Sequence, residues 1–124
     1  MVRVLTFGND DIDKTRYRFV FAAALNGPTV DESGQQKRRS WEEQRADGKV
    51  LRALKTVSEE QTSDGPQGEV RFRVLKPEGG AVRLTAEQFD KLKTWWGRMQ
   101  WPVYDIDAVE DTYEWLCGAA TENP

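Results

Sequence analysis

In residues 69–88, E-V-R-F-R-V-L-K-P-E-G-G-A-V-R-L-T-A-E-Q, the spacing of apolar side chains switches from strand-like to helical. Val70, Phe72 and Val74 alternate with Arg71 and Arg73. Successive strand side chains point to opposite sides, so this is a strand with one apolar face. Pro77-Glu78-Gly79-Gly80 is a turn, which makes residues 81–84 the expected hairpin partner. Thr85 followed by Gln88 is a capping box, in which the two side chains satisfy each other's backbone amides and open a helix. Strand, turn, strand and helix in succession predict an α+β fold: three or four helices on one face of a small antiparallel sheet that contains this hairpin.

On the helix that begins at Thr85, Phe89, Leu92, Trp95, Trp96 and Met99 fall within a stripe of about 120°, the width of an ordinary core-facing helix. Trp96 is therefore read as core, and Trp95 as core or core edge. Pro102 forbids the helix to continue, so Trp101 lies in a connection. Asp105 or Asp107 caps a last helix that runs to Cys117 and stops at Gly118. On it Ile106, Val109, Tyr113 and Leu116 share one face while Trp115 falls roughly opposite Ile106. Either this helix is covered on two sides or Trp115 is exposed.

Towards the N-terminus, residues 2–7 read as a short strand closed by Gly8, and Asp11 or Asp13 caps a helix through Leu25. Ser40 and Glu43 form a second capping-box pattern, and Val50, Leu51, Leu54 and Val57 give that helix a buried face. Gly48 sits inside it at a cost of about 1 kcal/mol, which leaves a start near Lys49 as the alternative. Residues 59–68 read as a loop by composition, and 119–124 as a frayed tail behind a single domain at 1–118.

A chain of 124 residues suffices for one core without staples. The single cysteine, Cys117, allows no internal disulfide, and it is read as an inert core thiol. With no secretory or membrane-spanning pattern in the sequence, the expected location is cytoplasmic. Charge is uneven: residues 1–62 carry 11 bases and 10 acids, residues 63–124 carry 7 and 11, and the net is −3. From Trp101 onward there are six acids and no base, a surface that repels phosphate backbones and favours basic partners.

Catalytic signals are weak. The chain has no histidine, which removes the commonest general base, and it has no P-loop or dinucleotide glycine pattern. No enzyme activity and no cofactor are expected. Asp107, Glu110, Asp111 and Glu114 share one helical face, where the better reading is a solvated face near a helix N-terminus rather than a cation site. The expected partner surface joins Trp101 and Trp115 as anchors to Asp105, Asp107, Glu110, Asp111 and Glu114, and it suits a protein with a basic surface. The alternative is nucleic-acid binding through the basic segment 37–55, with Lys37, Arg38, Arg39 and Arg45 on phosphates and Trp41 stacked on a base.

The run V-R-L-T-A-E-Q-F-D-K-L-K, then the tryptophan-proline joint and the acidic helix ending D-T-Y-E-W-L, resembles small accessory proteins encoded by tailed bacteriophages. The resemblance covers the last third of the chain and carries over no catalytic or binding residue. It implies a protein that docks on and modulates a larger host or virion protein.

Overall fold

The computed structural model describes residues 1–123. In chain order the elements are β1 (Val2–Phe7), α1 (Asp11–Asn26), α2 (Trp41–Lys55), β2 (Ser58–Gly65), β3 (Gly68–Leu75), β4 (Gly80–Thr85), α3 (Ala86–Arg98), α4 (Ile106–Cys117) and β5 (Ala120–Glu122), with 3₁₀ turns at Gly27–Thr29 and Val103–Asp105. This is a single α+β domain with two small antiparallel sheets.

The larger sheet has the order β4-β1-β5, with Leu5 opposite Val82 and Arg3 opposite Leu84. Partners opposite each other share a face, so Leu5, Phe7, Val82 and Leu84 form one apolar surface. All four are buried. Helices cover that face with Tyr17, Val20 and Ala23 from α1, Val50 and Leu54 from α2, Phe89, Leu92 and Trp96 from α3, and Val109 and Leu116 from α4. Burying an aliphatic or aromatic side chain of this kind contributes about 1.5–3 kcal/mol, so this layer is the main source of stability.

The caps behave largely as the sequence predicts. Thr85 and Gln88 complete both arms of their capping box. Ser40 accepts from the Glu43 amide at 3.1 Å, but Glu43 turns back only to the Ser40 hydroxyl. Asp10, rather than Asp11 or Asp13, caps α1 by accepting from the Asp13 amide at 2.8 Å. Asp105 stands at the N-cap of α4 without a side-chain capping bond.

Strand pairing departs from expectation. β3 pairs with β2, residues read from composition as a loop, and Pro66-Gln67 forms the hairpin tip between Gly65 and Gly68. β4, the expected partner of β3, pairs with β1 instead. The turn at 77–79 is real and uses a positive φ at Gly79, but it carries the chain from one sheet to the other. A side chain at Gly79 would overlap the Phe7 carbonyl. Residues 120–122, read as frayed, pair with residues 2–4 of β1, where the Arg3 guanidinium also donates to the Ala119 carbonyl at 2.9 Å. Pro124, the end of that expected tail, lies outside the described residues. Among the described residues no helix is long and apolar enough to cross a membrane.

The β2–β3 hairpin is held at its root. The Tyr17 hydroxyl donates to the Leu54 carbonyl at 2.8 Å, because a carbonyl can only accept, which leaves Ser58 to donate to Tyr17 at 2.7 Å. Arg73 Nε donates to Ser58 at 2.9 Å, and Asn9 Nδ2 donates to the Leu75 and Lys76 carbonyls. Towards its tip the hairpin is exposed on both faces.

Candidate interaction surface

Helix α4 sorts its side chains by angle. At about 100° per residue, Val109, Thr112 and Leu116 point together into the core, and all three are buried. Asp107, Glu110, Asp111 and Glu114 point the opposite way and are exposed, forming an acidic ridge. Apolar residues flank the ridge on both sides.

On one flank Ile106 and Tyr113 are partly exposed and border a depression of ≈ 390 Å³ with Trp96, Trp101 and Glu110. The 3₁₀ turn just before the helix adds the two most exposed large apolar side chains, Val103 at 85% and Tyr104 at 88%. α3 has already ended at Arg98, with Met99 extended, and Pro102 enters this turn extended as well. Water contact on both side chains is unfavourable by the area rule.

On the other flank Trp115 is half-buried. Its ring packs 5.2 Å from Phe7, the Arg16 guanidinium lies 5.3 Å from its centre, and it borders a groove of ≈ 780 Å³ with Ile12, Ala108 and Asp111. The helix is therefore covered on two sides, the first of the two alternatives for Trp115. Trp101 is also half-buried: it packs 4.5 Å from Trp96 and 5.5 Å from Phe19, and its indole N–H donates to the Trp96 carbonyl at 3.1 Å. Trp95 and Trp96 are both core, at 4% and 5% exposure.

The expected anchors thus separate onto opposite flanks of the ridge, with Trp101 committed to internal contacts. Val103, Tyr104, Ile106 and Tyr113 form the exposed patch that sequence reasoning missed. A signal existed: an apolar-aromatic pair wedged between a helix-ending proline and the next cap has no place in either helical stripe. Cys117 corrects a second reading, since it is exposed rather than core. The Tyr113 hydroxyl is held above the ordinary phenol range, first by Cys117 beside it and then by partial burial.

The basic segment is partly neutralised. Arg39 pairs with Asp47 at 2.9 Å, Lys91 joins the same carboxylate at 3.5 Å, and Lys37 approaches Glu43 at 3.8 Å. Trp41 is 70% exposed at the start of α2, and it borders a groove with Leu25, Arg45 and Arg52. Among the described residues, no group of three or more His, Cys, Asp or Glu converges as a cation site would require. The four α4 carboxylates are exposed to water. No protein-family model, curated protein or solved structure matches the chain.

Proposed function

We propose that this protein is a non-enzymatic adaptor or inhibitor that docks through the α4 ridge and the turn before it onto a basic surface of a larger protein. The observation that carries the reading is the exposure of Val103 and Tyr104 beside four acids on one helix face. Tyr104 and Val103 are the anchors, with Ile106 and Tyr113 widening the apolar contact. Asp107, Glu110, Asp111 and Glu114 supply charge complementarity and association rate. Trp101 supports the patch from beneath. The bacteriophage resemblance of this third of the chain fits a small modulator of a host or virion protein.

The test is capture from nuclease-treated extract of the source cells, using wild-type protein and a Val103→Ser/Tyr104→Ser variant. A partner retained by the wild type, released by salt and lost at least about tenfold by the variant supports the reading, as expected for central interface residues. Equal retention by both proteins sinks it.

A second reading rests on Trp41. It is the most exposed tryptophan, and among the described residues its basic neighbours Arg38 and Arg45 form no ion pair. A single-stranded nucleic acid would stack on Trp41 with phosphates on those arginines. A gel shift abolished by Trp41→Ala/Arg45→Gln would place this reading first, and no shift at low salt would remove it.

A further inference from the structure

We infer that the outer edge of β3 is a second binding site, one that accepts an extended acidic segment of a partner protein as an added strand. In an antiparallel pair, alternate residues turn their N–H and C=O groups towards the neighbour and the rest turn them away. Gly65 and Gly68 close a two-residue hairpin, and the Lys76 amide donates to the Val57 carbonyl at 3.0 Å in the same phase. Val70, Phe72 and Val74 therefore spend their backbone groups on β2, whereas Glu69, Arg71, Arg73 and Leu75 turn theirs outward.

Among the described residues no strand covers that side. Asn9 takes the Leu75 carbonyl. Among the described residues, no hydrogen bond reaches the backbone of Arg71 or Arg73 there. A groove of ≈ 660 Å³ runs between this edge and α1. Residues 71–75 line it consecutively, as a strand edge bordering the space does, and Gln61 of β2, opposite Phe72, shows that the groove also laps onto one face of the hairpin.

The lining specifies the occupant. Lys14, Arg18, Arg71 and Arg73 bring four positive charges, and no carboxylate among the described residues lines the groove. Arg73 is tied to Ser58 and the Lys55 carbonyl, and Arg71 reaches Glu60 only at 3.9 Å with both side chains well exposed. Phe21 and Phe72, the latter 41% exposed, add apolar surface for alternate side chains. The opposite edge of the hairpin, on β2, carries Glu59, Glu60 and Asp64 and repels the same ligand. Alternating free amides and carbonyls match a peptide backbone, which is strand addition. A nucleic acid offers no such ladder.

The probe is an extended peptide alternating glutamate with valine, titrated into the protein by calorimetry and amide NMR. A lysine-valine peptide and a single-stranded oligonucleotide are the comparisons. Saturable binding of the acidic peptide, with amide shifts at Arg71 and Arg73, is expected. Arg71→Pro removes an outward N–H without touching the β2–β3 ladder and should weaken binding at least tenfold. The same peptide N-methylated at alternate amides should lose binding to the wild-type protein, a result independent of how any variant folds. No acidic-peptide binding at millimolar concentration, equal binding of the N-methylated peptide, or preference for the oligonucleotide would each overturn the assignment.

Discussion

Gly27 lies against the backbone of Trp95: a methyl group on its Cα would overlap the Trp95 Cβ and stand 2.9 Å from the Trp95 Cα. Gly27 has an ordinary helical φ of −57°, so glycine is needed here for space and not for backbone freedom. The contact sets how closely the end of α1 meets α3. Gly27→Ala should destabilise the domain by about 1–3 kcal/mol, the usual cost of overpacking. Gly48→Ala is the control, because its methyl group meets only the flexible end of Arg52. In mid-helix it should stabilise by about 0.5–1 kcal/mol. Urea unfolding of the two variants should move in opposite directions, and parallel shifts would contradict this account.

Tyr17 should be worth more than its ring. Burial pushes its hydroxyl above the ordinary phenol range, so it stays a donor to the Leu54 carbonyl. Tyr17→Phe leaves that carbonyl without its donor and turns the Ser58 hydroxyl to the Lys55 carbonyl 3.3 Å away, at a cost of about 1–2 kcal/mol. Because Arg73, Ser58 and Tyr17 form one chain of bonds, Tyr17→Phe and Ser58→Ala together should cost less than their sum. A double-mutant cycle with additive energies would show that the bonds are independent.

Asp31 predicts the acid response of the connection between α1 and α2. Its carboxylate accepts from the Ser33 hydroxyl at 2.7 Å, the Ser33 amide at 2.9 Å and the Gln35 amide at 3.0 Å. These bonds, led by the Ser33 hydroxyl, hold it below the usual carboxylate range. A depressed folded-state pKa contributes stability that is full above the unfolded value and is lost as pH falls through the folded one. Order at residues 31–35 should therefore survive the ordinary carboxylate range and fade only below it. Carbon-detected NMR titration of Asp31 should give a midpoint below those of unperturbed carboxylates, and a midpoint above them would refute the assignment.

Cys117 offers a footprint of the α4 surface. As an exposed thiol at the end of α4, it should react with a maleimide in the folded state. A partner seated on the Tyr104–Tyr113 flank should slow that reaction at least tenfold, while a peptide on the β3 edge should leave it unchanged. Protection by both ligands would mean that the two surfaces are not separate.

Helix boundaries were legible because caps and stops are local chemistry. Thr85 and Gln88, Pro102 and Gly118 each act within one turn of their own position. Strand pairing was not, because β2 has no apolar periodicity to read: S-E-E-Q-T-S-D-G is polar throughout since the hairpin meets water on both faces. The apolar alternation of β3 is visible in the sequence, but it does not say which strand pairs with it. What decides the matter is the register of β4 on β1, where Leu5 and Val82 close the core together. The expected docking surface was legible in its acids, whose angles follow from sequence, but not in its anchors. Trp101 and Trp115 find internal partners across tertiary contacts, and exposure passes to Val103 and Tyr104.

β1 lies between β4 and β5, so one of its edges waits for residues 80–85 and the other for residues 120–122. Helices and the β2–β3 hairpin need only near neighbours, and such local contacts form fastest. Completion of the three-stranded sheet carries the largest loop-closure entropy, since residues 2–4 must meet residues 120–122. Until it is complete, at least one edge of an apolar strand lies open to pairing with other chains.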